Sequence, residues 1–166
     1  CVEHLPVVEF CVQDSGTGVP AEMLERIYEA FYSTKTNGMG IGLKLQKEGY
    51  RVGYMKPVGA LPQEKNGVLG DADAFFVQDI LGLAENPALV TPVVVDQDFK
   101  MKAFTGKCED FMPRIQAAYE ELGKDKDVMI VAGSGSMYSG MYCGLDGVSV
   151  VKSLGIKAVV IDRYVK

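Results

Sequence analysis

The sequence predicts an α/β domain: a three-layer arrangement with a mostly parallel sheet and helices on both faces. Three observations point there. Past Tyr50, strand-like and helix-like segments alternate. The strand-like segments are apolar on both faces, as strands covered by helices on two sides must be. Polar, glycine-rich or acidic residues follow Val58, Gly70 and Val131, the kind of strand end at which such sheets bind ligands.

The elements follow in order. Residues 6–13 are rich in Val and Phe, alternate loosely and read as a strand. Residues 14–20 form a turn. Residues 21–30 carry Met23, Leu24, Ile27 and Tyr28 at helical spacing. Residues 33–42 form a polar, glycine-rich loop, and 41–48 a helix with Gly49 as its stop. Residues 50–58 read as a strand ending at Lys56-Pro57, residues 62–70 as a polar loop and 73–81 as a short amphipathic helix. A buried strand run occupies 93–95. Residues 109–122 form a helix with Met112, Ile115, Ala118, Tyr119 and Leu122 on one face. A strand at 127–131 runs into a glycine-serine loop at 133–140. A helix at 148–154 and a buried strand at 157–161 complete the pattern.

Composition bounds the function. The chain has 166 residues, 48% hydrophobic and 23% charged, which suits one globular domain or a domain plus a fragment. Its net charge of −5 gives no electrostatic footprint for a nucleic-acid partner. No apolar run nears the roughly 20 residues that span a bilayer, and no signal peptide opens the chain. No membrane partner is expected. Four cysteines, at 1, 11, 108 and 143, form no CxxC pair, and His4 alone does not complete a zinc site. They read as reduced thiols of a cytoplasmic protein. The methionines at 101, 112, 129 and 137 read as core filler. Tyr138 and Tyr142 read as pocket lining or loop packing.

Two constellations carry chemistry. The first spans residues 14–43. Asp14, Gly16 and Gly18 make an Asp-x-Gly-x-Gly motif, followed by Phe31-Tyr-Ser-Thr-Lys35 and by Gly38, Gly40 and Gly42. Glycines let a backbone pass close to a nucleotide, and successive amides hold phosphate oxygens. A buried carboxylate beside them accepts a hydrogen bond from an adenine amino group. This segment, over about residues 2–45, resembles the ATP-binding domain of sensor histidine kinases, in the wider group that includes DNA gyrase. The resemblance implies that Asp14 contacts adenine, that Gly16 and Gly18 belong to the first glycine box, and that Gly38, Gly40 and Gly42 belong to the second, at the ATP lid. ATP with Mg2+ is the implied cofactor. The Asn-bearing helix that precedes the first glycine box in that family is not among residues 1–13, and neither is a phospho-accepting His on a dimerisation helix. The resemblance therefore implies nucleotide binding rather than autophosphorylation. The alternative for these glycines is that they only make turns.

The second constellation lies past residue 45. Residues 46–59 resemble the second strand of a dethiobiotin-synthetase-like P-loop ATPase, residues 70–74 its acidic motif, 127–136 its strand and glycine loop, and 156–161 its next strand. Such a domain also occurs in cobyrinic-acid amide synthases and at the N-terminus of some long phosphate acetyltransferases. The resemblance implies that Lys56 neutralises a substrate anion or a transferring phosphoryl group. It implies Asp73 as the magnesium carboxylate, with Asp71 the weaker candidate. No Gly-x-x-x-x-Gly-Lys-Ser/Thr motif occurs, and Ala132-Gly133 stands where that family has Glu-Gly. The alternative for Lys56 and Asp73 is a solvated turn.

The halves meet at 45/46 with no polar linker, so a chimera or truncated fusion is expected, with the strand at 7–12 able to replace a missing first strand. The leading expectation is a nucleotide-binding module of the dethiobiotin-synthetase-like kind with impaired catalysis. One alternative is an ATP-binding fragment of a sensor histidine kinase. Another is a non-enzymatic regulatory or remnant domain. A nucleotide is the expected partner, and homo-oligomerisation is left open.

Overall fold

Val, Gly, Tyr and Met at Val52–Met55 form strand β1, whose four residues are all buried. Here and below the structure is a computed structural model that describes residues 40–134, 138 and 140–159. The elements expected at 6–13 and 21–30 lie outside the described residues, as do Asp14, Gly16, Gly18 and Gly38.

The strand expected at 50–58 is broken in two. Pro57 has no N–H to give to a ladder, and the chain resumes as β2, Val58–Gly59, with a new partner. β1 pairs in parallel with β6 (Val128–Val131), from Val52 opposite Val128 to Met55 opposite Val131. β2 pairs in parallel with β5 (Val93–Val94). The parallel α/β expectation holds at this level, although the strands form two short pairs rather than one continuous sheet. Arg51 pins the register of the first pair. Its amide donates to Asp127 Oδ2 at 2.8 Å, and its guanidinium grips both carboxylate oxygens at 3.0 and 2.7 Å.

The polar loop expected at 62–70 is an antiparallel hairpin. β3 (Pro62–Lys65) and β4 (Val68–Asp71) are joined by Asn66-Gly67, both at positive φ, 55° and 76°. Asn-Gly is the strongest short hairpin signal, because both turn residues must enter the left-handed region. The hairpin is exposed along β3 and the start of β4, so no apolar alternation advertised it.

Among the described residues six helices pack on these strands. α1 (Ile41–Lys47) packs on α2 (Ala72–Leu81) at Gly42, where an added Cβ would lie 2.8 Å from Leu81 Cδ2. Gln46 Nε2 also donates to the Leu81 carbonyl at 2.9 Å. α2 ends at Gly82 in the left-handed conformation that closes many helices. α3 (Pro87–Val90) is a single turn capped by Asn86. α4 (Gln97–Phe104), capped by Asp96, buries Phe99 alone, which is why no apolar stripe predicted it. α5 (Met112–Gly123) buries Ile115, Ala118 and Leu122. It starts three residues later than expected because Pro113 is tolerated in a first turn but not beyond it. After β6 come a 3-10 turn, Met141–Cys143, and α6 (Gly147–Leu154). No strand forms over 156–159, the described start of the strand expected at 157–161. The core gathers Val52, Tyr54, Met55, Val77, Leu81, Val90, Val93, Ile115, Leu122 and Leu145. Met112 and Met129 pack against it as expected, while Met101 is exposed. Among the described residues no helix is long and apolar enough to cross a membrane.

Candidate functional site

The carboxyl end of β1 delivers Lys56 into a polar knot under the hairpin. Its backbone N–H donates to the Val90 carbonyl at 2.8 Å, which fixes the strand end against α3. The ammonium is buried, at 4% side-chain exposure, and donates to Asp71 Oδ1 and to Asp73 Oδ2, each at 2.7 Å. A buried lysine needs partners of this kind, because an isolated charge out of water costs several kcal/mol.

The structure brings Asp71 and Asp73 together with Lys56, and the two carboxylates stand differently. Asp71 is fully buried and its oxygens are engaged. Oδ1 accepts from Lys56 and from the amides of Asp73 and Ala74 at 3.0 and 3.2 Å, and Oδ2 accepts from the Leu61 amide at 2.9 Å. It is the N-cap of α2 and ties the hairpin base to the helix. The Ala72 amide returns the link to the Leu61 carbonyl at 2.9 Å. Asp73, in the first turn, leaves its side chain 46% exposed. Of the pair, Asp73 is the carboxylate with room for an incoming cation.

Two glycines shape the knot. A Cβ on Gly59 would meet Asp71 Cβ and Thr91 Cγ2, each at 2.7 Å, and one on Gly70 would meet the Phe75 ring at 2.6 Å. These close approaches are what make the carboxylate reach the strand end. Burial pushes the nearby Tyr54 hydroxyl far above its ordinary range, with the Asp71 and Asp73 charges adding to it. Tyr54 therefore stays a neutral donor. Among the described residues no group of three or more His, Cys, Asp or Glu side chains is placed to hold a metal. Two clefts, of about 360 and 410 Å3, are lined by other residues: one by Phe99, Phe111 and Arg114, the other by Tyr119, Lys126 and Asp127.

Of the kinase-type candidates, Gly40 and Gly42 are described. Gly40 precedes α1 as its N-cap, and Gly42 is buried in α1 against Leu81. Gly42 thus has a packing role there. Tyr138 and Tyr142 are exposed at 74% and 83%. The sequence reading missed the Asx cap by Asp71 and the hairpin that aims it; Asn66-Gly67 was the available signal.

One expectation is overturned. Cys108 and Cys143 are joined in a disulfide with Cα atoms 5.4 Å apart, not held as free thiols. Their 35-residue separation and lack of a local motif gave no hint of pairing.

Comparison with known proteins bears on the first constellation. Residues 3–55 match the family described as histidine kinase-, DNA gyrase B-, and HSP90-like ATPase, a span that holds all three motifs and takes in α1 and β1. A stretch of 38 residues is 55% identical to the sensory histidine kinase/phosphatase NtrB of Rhizobium leguminosarum, covering 23% of this chain and 10% of that protein. The sensor kinase CckA of Brucella abortus is 55% identical over 38 residues, 23% of this chain and 4% of the relative. The sensor protein kinase PilS of Pseudomonas aeruginosa is 48% identical over 44 residues, 26% and 8%. The chain spans about a tenth or less of the length of these relatives. These matches support an ATP-binding segment of the sensor-histidine-kinase kind, and they lend nothing to the dethiobiotin-synthetase-like reading of residues 46–166.

Proposed function

We propose that the chain binds ATP through its histidine-kinase-like segment, with Asp14 taking the adenine amino group and Gly16, Gly18, Gly38 and Gly40 lying along the phosphates, while Gly42 packs α1 against Leu81. The observation that carries this reading is the presence of all three motifs, in order, inside the family match at residues 3–55. It replaces the dethiobiotin-synthetase-like module as the leading reading. The function is adenine-nucleotide binding; phosphoryl transfer to a histidine is not part of the proposal.

Magnesium fits the residues present in a limited way. Mg2+ sites use one or two carboxylates together with substrate phosphates and waters. Asp73 offers one half-exposed carboxylate, whereas the Asp71 oxygens are already taken by Lys56 and three amides. Such an ion would belong to the Lys56 site and not to the glycine boxes, and it would neutralise the charge of an anion bound there.

A second reading rests on Lys56. A buried ammonium at the carboxyl end of a parallel strand, facing one exchangeable carboxylate, suits a phosphoryl or carboxylate anion. There Asp73 would be the carboxylate that holds a magnesium ion, which would supply charge neutralisation for the anion, while Asp71 holds the Lys56 ammonium in place.

Calorimetric titration with magnesium-ATP separates the two. Under the leading reading, Asp14→Ala abolishes binding and Asp73→Asn leaves it within about threefold. If instead Asp73→Asn abolishes binding and Asp14→Ala leaves it intact, the site is at Lys56. Equal magnesium-GTP and magnesium-ATP affinities also count against the leading reading, because Asp14 would then not be reading adenine.

A further inference from the structure

Cys108 and Cys143 sit in two surface turns, one on each side of the α5–β6 unit. Cys108 lies in the connection between α4 and α5, after Gly106 at φ 66°, where the Lys107 amide closes back on the Lys102 carbonyl at 2.8 Å. Cys143 ends the 3-10 turn. That turn is held by its own bonds: the Cys143 and Leu145 amides donate to the Gly140 carbonyl at 2.9 and 3.0 Å, and the Gly144 amide to Met141 at 3.1 Å. Gly140 and Gly144 bracket it at φ 81° and 69°. Leu145 anchors one end in the core, at 2% exposure. The disulfide is the covalent tie from the turn to the α4–α5 connection, and the ring it closes contains α5 and β6.

The surroundings are open. Both cysteines are half-buried, while Lys107, Glu109, Met141, Tyr142 and Gly144 around them are exposed. A bridge sealed in a core excludes an attacking thiolate, whereas this one lies at the surface of two turns. The amides of Lys107, Cys143, Gly144 and Leu145 each bond within their own turn, so these bonds do not depend on the bridge.

We propose that Cys108–Cys143 is a thiol–disulfide exchange site, opened by low-molecular-weight thiols of the glutathione class and closed again by their disulfides. The step balances. A thiolate attacks one bridge sulfur, giving a mixed disulfide and a protein thiolate that takes up a proton. A second thiolate attacks the mixed disulfide at the small-molecule sulfur, releasing the oxidised small-molecule disulfide and the second protein thiolate, which is also protonated. The protein gains two electrons and two protons, and two small thiols are oxidised. Closure is the reverse, with the small disulfide as oxidant. The inference stands apart from where ATP binds.

The test uses the full chain, equilibrated in buffers of varied reduced-to-oxidised glutathione ratio, quenched with acid and alkylated. Peptide mass mapping then counts the alkylated Cys108 and Cys143, with Cys1 and Cys11 scored separately. The expected result is one transition in which both residues become alkylated together as the ratio rises. The folded parent also unfolds at a lower temperature on the reduced side, and C108S/C143S shows no redox-dependent change. Two results overturn the proposal: alkylation of both residues at every ratio, which means no bridge forms, and protection at every ratio in the folded protein, which means the bridge does not exchange. The parent titration decides between these even where the double variant does not fold.

Discussion

Replacing Lys56 with Met tests the polar knot at its centre. Met keeps most of the stem's volume, so the packing loss is small. What goes is the ammonium between Asp71 and Asp73. Breaking a buried pair by removing one partner costs about 3–5 kcal/mol, because it strands the other charge. Asp71 keeps three amide donors, from Leu61, Asp73 and Ala74, which places the cost near the low end, about 3 kcal/mol. Asp73 is the contrasting control. Its carboxylate is 46% exposed and water replaces the lost partner, so Asp73→Asn costs less than about 1 kcal/mol. At roughly 2–4 °C per kcal/mol for a chain of this size, Lys56→Met lowers the midpoint by about 6–12 °C and Asp73→Asn by no more than about 4 °C. Urea unfolding followed by circular dichroism gives both free energies. A loss below about 1 kcal/mol for Lys56→Met, or a larger loss for Asp73→Asn, refutes the reasoning that Asp71 is a buried charge held by Lys56.

Three further outcomes follow from the same geometry. Gly59→Ala forces its new methyl group against Asp71 Cβ and Thr91 Cγ2, neither of which can swing away, and costs about 1–3 kcal/mol in the same unfolding assay. The Arg51 guanidinium and amide hold the Asp127 carboxyl down at about 2, below its unfolded value near 3.8. The stability it contributes is therefore full above about pH 4 and lost as pH falls through about 2, so the difference between parent and Asp127→Asn shrinks toward zero over that window in acid titrations of stability. Reducing the Cys108–Cys143 bridge frees a ring with a sequence separation of 35, which by the chain-entropy estimate lowers stability by about 4 kcal/mol; unfolding with and without a strong dithiol measures it.

The parts of the fold that were legible in the sequence are those in which local pattern and tertiary role agree. The apolar runs at β1, β5 and β6 read as buried parallel strands, and α2, α5 and α6 followed from their spacing. The contact of Lys56 with Asp71 and Asp73 was not legible from spacing, since no local rule brings a lysine at a strand end to carboxylates 15 and 17 residues on. Other parts were hidden for physical reasons. The hairpin over Pro62–Lys65 and Val68–Asp71 is solvent-exposed and lacks alternation; only Asn66-Gly67 marked it. α4 buries one residue, so its period is silent. The role of Asp71 depends on Leu61 being folded back onto it, which the order of residues does not reveal. The disulfide joins two turns 35 residues apart, with α5 and β6 between them, and no local pattern marks such a pair.

Thermal unfolding of the full chain with and without saturating magnesium-ATP decides whether ATP binds through the kinase-like segment. At about 100 times the dissociation constant, ligand adds roughly 2.7 kcal/mol, a visible rise in midpoint. If ATP binds there, the parent and Asp73→Asn both show the rise and Asp14→Ala loses it. A rise that survives Asp14→Ala, or no rise in the parent at all, contradicts binding there.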